Sequence, residues 1–548
     1  MLPSAEPLLL SILGIDNAFE ASGLIRLFHA AEPVPDPAPD QWRETVLPAY
    51  PWVIRLVVTR EDGWFDAQAR VFHHGRLSGR GALRVRLANK TDKGALLLGS
   101  AKLAAGTALY HALAEAFNQT LPWGSLTGVR PVKLASGLLE AAHNDAAHDD
   151  AAHDDAAHDD AAHDDAAAQA LLEERTGMSR DKAALLLSVA HHEQPYLQIP
   201  DHSASVYVGI PFCATRCLYC SFPAYDIHRM GHMVSGYLDA LERELMFLGA
   251  WLAQSGTRLS TVYIGGGTPT ALDEAALDRL LSMMADHLPL GEALEYTVEA
   301  GRPDTLTPEK LRRIKAAGAT RISINPQSMN DDTLRRVGRA HTAGDVTRAF
   351  AMARGAGFSN INADLIAGLP GESLADFQRT LARMTSLAPE SLTVHTLAVK
   401  RASRLHEQES GAAGPARTDD ATVAAMVAEA ATYATQQGLR PYYLYRQKNI
   451  LANLENIGYA RPGMGCRYNV ETMSERQTIL AAGSGAITKV SHNGRQLERV
   501  FNVRELRHYV DRIDEMVEKK RELLSRHFPD TVAETGAETV AKTGVKEG

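Results

Sequence analysis

The chain has 548 residues, of which 45% are apolar and 22% are charged, and its formal net charge is −9. This composition is ordinary for a globular protein, and the length suggests about three domains. The charge is local, because residues 141–168 repeat the pentapeptide Ala-Ala-His-Asp-Asp and contain nine aspartates, whereas the rest of the chain has 57 basic and 57 acidic residues. The chain has no cluster of excess basic residues, so no nucleic-acid partner is expected. It has no run of eighteen apolar residues, so no membrane span is expected.

The first region is predicted to be an α+β domain over residues 1–135. Its candidate elements are three strands and one helix, Trp52–Thr59, Phe65–Phe72, Ala82–Leu87 and Thr107–Phe117, with Gly75 and Gly79 placed between strands. We find no catalytic constellation there. The N-terminal residues lack the basic segment and the apolar stretch of a secretory leader, so we expect a cytoplasmic protein.

Residues 136–200 are predicted to be a linker that holds the repeat and short helices. The repeat has no large apolar residue and cannot build a core, so it is interpreted as a low-complexity insert. Its five histidines could also bind Zn²⁺ or Ni²⁺ loosely, and that alternative stays open. A helix is predicted over Leu171–His192, with Ser179 as an N-cap for Arg180–Ala190.

Residues 201–445 alternate between strand and helix patterns. The candidate strands are Ser205–Ile210, Thr261–Ile264, Glu295–Val298, Arg321–Ile324, Asn360–Leu365 and Ser391–Leu397. The candidate helices are Val234–Leu252, Asp273–Asp286, Pro308–Ala317, Ala343–Ala356 and Leu374–Met384. Six βα units predict an α/β fold with parallel strands and right-handed crossovers, as a full or partial (β/α)6-type barrel. Its active-site residues should lie at the carboxyl ends of the strands.

After an Ala-rich helix at Thr418–Gln437, residues 446–530 are predicted to form a smaller C-terminal α+β region. Glycines interrupt its loop- and strand-like part, and Val503–Ser525 has the pattern of a charged amphipathic helix. Residues 531–548 are small, polar and repetitive, so we expect a disordered tail.

Three of the four cysteines stand close together, as Cys213, Cys217 and Cys220 in a C-x3-C-x2-C spacing directly after the first barrel strand. Three thiolates on one loop can hold three irons of a [4Fe–4S] cluster and leave the fourth iron open. Zinc bound with His228 or His232 is the alternative. Cys466 is interpreted as a small buried residue instead of a ligand.

The second barrel strand ends in Thr261–Thr270, TVYIGGGTPT. Glycines let backbone groups approach a ligand closely. Such a turn alone is weak evidence for a site, but one βα unit after the cysteine loop it strongly indicates one.

The segments IPFCATRCLYCSF, YIGGGTPT, TVEAGRPDT, RISINPQS, GRAH and NADLIAGLPGE resemble the oxygen-independent coproporphyrinogen III oxidase family of the radical S-adenosylmethionine (radical SAM) superfamily. The layout, with a long N-terminal region and YRQKNILANLENIGY near the end, is most similar to the HemZ-type branch. The resemblance covers residues 120–500.

This resemblance implies that Cys213, Cys217 and Cys220 ligate a [4Fe–4S] cluster, whose open iron is chelated by SAM. It implies further SAM-binding positions at Tyr207, Tyr219, Gly266, Gly267, Thr268, Glu299, Gln327, Arg339 and Asp364. Glu299, Gln327 and Asp364 also fall at or just past predicted strand ends. For Glu299 and Asp364 a plain strand-end cap is the alternative, and for Arg339 a surface salt bridge. His395 fits either the barrel interior or a satisfied core position.

The resemblance also implies a reaction. One electron cleaves SAM to methionine and a 5′-deoxyadenosyl radical, which abstracts hydrogen from the β-carbon of a propionate of coproporphyrinogen III. Loss of CO₂ and of one electron leaves a vinyl group, and the step is repeated on a second ring to give protoporphyrinogen IX. It implies a porphyrinogen substrate, a role in haem biosynthesis, and an electron donor such as flavodoxin or ferredoxin.

Two positions depart from the best-known oxidases of the family. Phe222 stands where they have another cysteine, and it is shared with a branch of haem chaperones. That branch typically has His-Asn-x-x-Tyr-Trp, whereas this chain has Glu455-Asn-Ile-Gly-Tyr459. A haem-binding chaperone and a radical SAM enzyme for another substrate therefore remain alternatives.

Overall fold

The computed structural model describes residues 6–15, 18–29, 31–37, 39–41, 50–86, 100–128, 130–149, 157–409, 417–492 and 496–528. Residues 150–156 of the repeat and the predicted disordered tail lie outside this set. The chain divides into two compact units, residues 1–193 with 444–457, and residues 194–443 with 458–548. The five-part domain division predicted from the sequence stays a prediction.

The first unit contains a five-stranded sheet in the order β2-β1-β3-β4-β5. Its strands are β1 (Leu8–Leu13), β2 (Val34–Pro35), β3 (Trp52–Glu61), β4 (Trp64–His73) and β5 (Arg76–Arg86). The β1 strand pairs in parallel with β2 and β3, and β3, β4 and β5 form an antiparallel meander.

Five helices follow in this part of the chain, α1 (Ala18–Ile25), α2 (Ala101–Phe117), α3 (Val132–Asp149), α4 (Ala157–Thr176) and α5 (Arg180–Leu197). The expectation that Gly79 separates two strands is wrong, because it lies within β5. A Cβ on Gly79 would come 2.1 Å from the Ala112 carbonyl oxygen of α2, so this glycine allows the helix to pack directly on the strand. The predicted helix Leu171–His192 is two helices, broken at Gly177 with a φ of +69°.

The second unit is built on a sheet in which six predicted strands are confirmed as parallel neighbours in chain order. They are β6 (Ser203–Ile210), β9 (Arg258–Gly266), β10 (Glu295–Glu299), β11 (Arg321–Ser323), β12 (Ile361–Ala367) and β13 (Ser391–Thr396). The short strands β7 (Phe212–Cys213) and β8 (Tyr225–Asp226) form a separate parallel pair. This is the expected α/β arrangement of a partial barrel, and hydrogen bonds do not close the sheet.

Five further strands extend this sheet, β14 (Arg440–Tyr445), β15 (Asn456–Ala460), β16 (Thr478–Ala482), β17 (Ile487–His492) and β18 (Gln496–Phe501). The full order is β14-β15-β13-β12-β11-β10-β9-β6-β16-β17-β18. The β16 strand pairs in parallel with β6, Thr478 opposite Ala204, so the strand before the cysteine loop has neighbours on both sides.

The remaining helices are α6 (Ile227–Met230), α7 (Val234–Ser255), α8 (Glu274–His287), α9 (Pro308–Ala316), α10 (Asp331–Arg336), α11 (Ala343–Gly355), α12 (Leu374–Leu387), α13 (Arg404–Glu409), α14 (Asp420–Gln436), α15 (Arg467–Ser474), α16 (Leu506–Asp511) and α17 (Ile513–His527). Side chains of Asp273, Thr307, Thr342 and Ser373 accept backbone N–H bonds at the starts of α8, α9, α11 and α12. These caps explain why the crossover helices begin where the sequence predicts. The predicted helix Val503–Ser525 is instead two helices, α16 and α17.

A buried polar cluster, here called the Glu244 network, joins α7, α16 and α17 to the strands β16–β18. Lys520 Nζ donates to Glu244 Oε1, and Asn502 Nδ2 donates to the same oxygen at 2.8 Å. Tyr509 Oη (2.6 Å) and the Gly483 backbone N–H (2.8 Å) donate to Glu244 Oε2. Both charged side chains are fully buried, and each is satisfied by the other and by neutral partners. Within the described part of the chain, no helix is both long and apolar enough to cross a bilayer.

Candidate functional site

The cysteine loop starts where β6 ends, at the carboxyl edge of the parallel strands. Cys213 closes the short strand β7, and the Cys220 N–H donates to the Cys217 carbonyl oxygen at 3.2 Å, which folds the last two cysteines into a tight turn. Leu218 N–H donates to the Val337 carbonyl oxygen at 2.9 Å and ties the loop to the segment that follows α10. Cys217 is 8% exposed, and the other two cysteines are half-buried.

The glycine turn lies directly against this loop. The Gly267 N–H donates to the Ile210 carbonyl oxygen at 2.6 Å, and Thr268 N–H donates to that of Phe212 at 2.8 Å. A Cβ on Gly267 would lie 2.6 Å from the Phe212 carbonyl oxygen and 3.0 Å from Cys213 Sγ. Gly266 has a φ of +106°, which favours glycine. The structure therefore brings the two motifs together in a space that side-chain bulk would fill.

The thiols of Cys213 and Cys220 share one environment with Cys217, whose charge adds to the effect of burial in raising the pKa of both groups. Burial raises the pKa of Cys213 to about 11, although its 3.5 Å contact with Thr268 Oγ1 lowers it. Burial also raises the pKa of Cys220. A bound cation is the usual means by which such buried thiols become thiolates.

The spacing of the thiols separates the two metal hypotheses. Tetrahedral zinc with Zn–S bonds of about 2.3 Å would hold sulfurs roughly 4 Å apart. Among the described residues, neither the three cysteines nor any trio with His228 or His232 has its ligand atoms all within 4.8 Å of one another. The residues therefore fit a multinuclear cluster better than a single zinc ion.

Two buried arginines lie under the loop. Arg339 is 8% exposed; its Nε donates to Tyr219 Oη at 3.2 Å, and its Nη1 donates to the carbonyl oxygens of Asn325 (2.6 Å) and Gly301 (3.3 Å). The alternative of a surface salt bridge for Arg339 is wrong, because the side chain is enclosed. Burial raises the pKa of Tyr219.

The second arginine, Arg302, was not singled out from the sequence. Its Nη1 lies 3.6 Å from Cys217 Sγ, and its Nε and Nη2 pair with Asp304 at 3.0 and 3.1 Å. Burial raises the pKa of Asp304, but the contacts with His341 and Arg302 lower it by more, so the pKa of Asp304 is well below the usual value. The segment EAGRPDT was noticed only for its family resemblance, since an Arg-Pro-Asp turn is common on surfaces.

Glu299 ends β10 and faces the interior of the sheet. Tyr263 Oη donates to Glu299 Oε1 at 2.6 Å, and a Cβ on Gly265 would lie 2.9 Å from the same oxygen. Burial raises the pKa of Glu299 to about 7, while the bond from Tyr263 lowers it and nearby Asp364 raises it further. The carboxyl group therefore changes its charge near neutral pH.

Asp364 lies in β12, and Gln327 lies beside it. Asp364 Oδ1 accepts from Asn362 Nδ2 at 2.7 Å, and Asp364 Oδ2 lies 3.6 Å from His395 Nε2. His395 therefore faces the interior beside the site, one of its two expected placements. Burial raises the pKa of Asp364, yet His395 and Asn362 lower it below the usual value.

Gln327 is held in the left-handed region, with a φ of +67°, by backbone bonds to Asp364 and Ile366. Its side chain is 8% exposed, and its Oε1 is buried without a hydrogen-bond partner. An orphaned acceptor in a strained residue at a strand end is typical of a ligand-binding position.

Tyr207 belongs to a stack of aromatic rings inside the sheet. Its ring centroid lies 6.2 Å from that of Tyr263 and 6.0 Å from that of Tyr468, and the latter two are 4.7 Å apart. Tyr468 belongs to α15, a helix that the sequence analysis missed. The only preceding hint was the Cys-Arg-Tyr-Asn segment after two glycines.

The structure also places Cys466 and the two positions that depart from the family pattern, Phe222 and Glu455. Cys466 is fully buried, as expected for a small buried residue, and its Sγ donates to Glu295 Oε1 at 3.2 Å. Phe222 is 65% exposed beside the loop. In the first unit, Glu455 accepts from Trp123 Nε1 at 2.7 Å and from Lys182 Nζ at 2.5 Å, so its carboxylate is structurally engaged.

Comparisons with known proteins show which proteins this chain is similar to. The Radical SAM superfamily model matches residues 207–384. The oxygen-independent coproporphyrinogen-III oxidase-like protein HemZ of Bacillus subtilis is 38% identical over 419 residues, which cover 75% of this chain and 79% of that protein. The heme chaperone HemW of Bacillus subtilis is 34% identical over 314 residues, 57% of this chain and 76% of that protein.

Among solved structures, coproporphyrinogen III oxidase (HemN) from Escherichia coli aligns at 25% identity with a TM-score of 0.46, over 59% of this chain and 72% of that chain. The extent of the match to HemZ decides the assignment. The chain belongs to the family of oxygen-independent coproporphyrinogen-III oxidase-like proteins within the radical SAM superfamily.

Proposed function

We propose that this protein is a radical SAM oxidoreductase that converts coproporphyrinogen III to protoporphyrinogen IX without oxygen. The observation that carries the proposal is the contact between the three-cysteine loop and the glycine turn at the carboxyl ends of β6 and β9, in a chain that is 38% identical to an oxidase-like protein. A low-potential one-electron donor, such as flavodoxin or ferredoxin, is the protein partner that this chemistry requires.

Cys213, Cys217 and Cys220 hold a [4Fe–4S] cluster in this proposal. Support comes from the burial of the three cysteines, from thiols that do not all lie within 4.8 Å of one another, and from Gly267, where a Cβ would lie 3.0 Å from Cys213 Sγ. When bound, the cluster and SAM supply a one-electron cleavage that yields a carbon radical able to remove hydrogen from a propionate side chain.

The remaining residues bind and orient SAM. Gly266, Gly267 and Thr268 offer backbone groups next to the cysteine loop for the amino group. Glu299 offers a carboxylate for ribose hydroxyls, and Gln327 offers its free Oε1.

Three of the expected SAM residues are held by other side chains. Arg339 fixes the hydroxyl of Tyr219, and the Tyr219 ring would flank the adenine of bound SAM. Asp364 is oriented by Asn362 and His395. The ring of Tyr207, stacked with those of Tyr263 and Tyr468, makes an apolar wall that excludes water from the reacting centre.

A haem chaperone is the second candidate, and two observations favour it. HemW is 34% identical to this chain, and the exposed Phe222 replaces the extra cysteine of the oxidases. Against it, the position that has histidine in the chaperone branch is Glu455, and that carboxylate is bound to Trp123 and Lys182.

Anaerobic incubation of the reconstituted full chain with SAM, dithionite and coproporphyrinogen III separates the two candidates. We expect protoporphyrinogen IX together with methionine and 5′-deoxyadenosine in the wild type, and none of the three products in Cys217→Ala. Cys466→Ala is the matched control and should keep all three. SAM cleavage without any porphyrinogen product, together with stoichiometric haem binding, would favour the chaperone.

A further inference from the structure

Arg302 contacts the cysteine loop in a way that none of the family positions explains. It follows Gly301 after β10 and precedes the short turn Pro303–Thr305, in which Thr305 N–H donates to the Arg302 carbonyl oxygen at 2.9 Å. Its side chain is 3% exposed. A guanidinium that is buried at this depth must have its donors satisfied locally.

All five N–H groups of Arg302 have partners. Nε and Nη2 donate to the two oxygens of Asp304, and Nη2 also donates to Thr215 Oγ1 at 2.9 Å. Nη1 donates to the Thr215 carbonyl oxygen at 3.3 Å and to Cys217 Sγ at 3.6 Å. Since Arg has five donors in a fixed planar fork, this set leaves none for a substrate carboxylate. Arg302 is thus fixed toward the loop and the Cys217 sulfur.

We propose that Arg302 is a positioning residue that sets the reduction potential of the metal cluster held by Cys217, and that Asp304 counterbalances it. This inference rests on the proposed function for the three cysteines as cluster ligands. Hydrogen bonds to ligating sulfurs and nearby charge are among the factors that tune iron–sulfur potentials. Reduction adds one electron from the external donor, so the cation stabilises the more negative state and raises the potential.

Because Arg302 is paired with Asp304, replacing one or the other should shift the reduction potential of the cluster in opposite directions. Removing the guanidinium takes away a cation and an N–H···S bond and leaves the Asp304 carboxylate near the cluster, so reduction becomes harder. Neutralising Asp304 leaves the cation uncompensated, so reduction becomes easier. A purely structural role for either residue would lower cluster content in both variants and would not move the potential in opposite directions.

The test is an anaerobic redox titration of the reconstituted full chain with dithionite and mediators, followed by electron paramagnetic resonance of the reduced cluster, with and without SAM. For Arg302→Gln we expect the equilibrium constant for reduction to fall about tenfold, which is a midpoint shift of about −59 mV for one electron. Asp304→Asn should shift the midpoint upward, and Arg302→Lys, which keeps the charge, should shift it least.

Arg354→Gln is the matched control. Arg354 also binds carbonyl oxygens and a carboxylate, donating to Phe358 and Glu390 at 3.1 and 2.8 Å, but it lies at the amino end of β12. Its midpoint should equal that of the wild type. Wild-type midpoints in Arg302→Gln at full iron content would overturn the proposal.

If Arg302→Gln binds no cluster, Asp304→Asn and Arg302→Lys decide, and an unchanged or lowered midpoint in Asp304→Asn overturns it. A wild-type chain that takes up no iron would instead refute the cluster assignment itself.

Discussion

The cysteine loop with its glycine turn and the Glu244 network are both buried and polar, yet they differ in how completely their polar groups are paired. In the network, Glu244 accepts four hydrogen bonds and its charge is matched by Lys520. At the loop and beside it, burial raises the pKa of the Cys213 and Cys220 thiols, Gln327 Oε1 has no partner, and Gly266 and Gln327 adopt left-handed backbone conformations. A buried polar group that lacks a partner costs free energy, so its persistence indicates a ligand that supplies the partner. The two regions therefore differ in how completely their buried polar groups are hydrogen-bonded, although both regions are polar.

The largest effect should come from removing one thiol of the cysteine loop. Cys217→Ala should lower iron from about four per chain and abolish the visible iron–sulfur absorbance, because three thiolates are needed to hold the cluster. Iron and sulfide assays after anaerobic reconstitution measure this. Cys466→Ala, which removes a thiol already bonded to Glu295, should keep the iron. Four irons in Cys217→Ala would show that the ligand assignment is wrong.

The next largest effect should come from breaking the satisfied network. Lys520→Met leaves the Glu244 carboxylate buried without its cation and should cost about 3–5 kcal/mol of unfolding free energy. Chemical denaturation followed by circular dichroism measures the loss. The neighbouring Lys519→Met removes only an exposed pair with Glu515, and no resolvable change is expected. Equal losses in both variants would contradict the distinction.

The Glu299 carboxyl group is intermediate between the cysteine loop and the Glu244 network, because it has one hydrogen-bond partner, Tyr263, and a pKa near neutrality. Burial raises its pKa from about 4.5 to about 7, so the folded state keeps its proton longer, and its contribution to stability is lost as the pH rises through that window. If the carboxylate accepts bonds from SAM, affinity should increase as the pH rises through about 7.

Tyr263→Phe sharpens this case. Loss of the bond from Tyr263, which lowers the pKa of Glu299, should move the rise in SAM affinity to higher pH. Isothermal titration with SAM between pH 6 and about 8.5 on the reconstituted protein measures the shift. Tyr433→Phe, another buried tyrosine of the same unit, should leave the profile unchanged. Identical profiles in all three proteins would remove Tyr263 from the site.

The smallest effect is expected from the Ala-Ala-His-Asp-Asp repeat, which belongs to neither region. Deletion of residues 146–165 should leave cluster content and SAM cleavage intact, because the repeat holds none of the site residues. Of the contacts that the structure describes, the deletion removes the exposed pair between Asp165 and His191. A large loss of iron or of SAM cleavage would reveal a function for the repeat.

The elements that could be predicted from the sequence are those whose signals lie within or next to the element itself. The six strands and five crossover helices of the sheet were found because apolar runs, caps and glycines mark their ends. The Tyr263–Glu299 bond was missed because it depends on the register of β9 against β10, in which Tyr263 lies opposite Thr297. Arg302 was missed because only the folded loop shows that an Arg-Pro-Asp turn is buried against a cysteine. The strand β16 was missed because its partner, β6, is remote in sequence.

That remote pairing of β6 with β16 has a consequence for how the protein matures. The strand that leads into the cysteine loop has a free edge during synthesis until residues 478–482 have been made, and an exposed edge is a template for aggregation. Contacts between such distant segments also form slowly. Chains truncated before Thr478 should therefore accumulate as insoluble, iron-free protein.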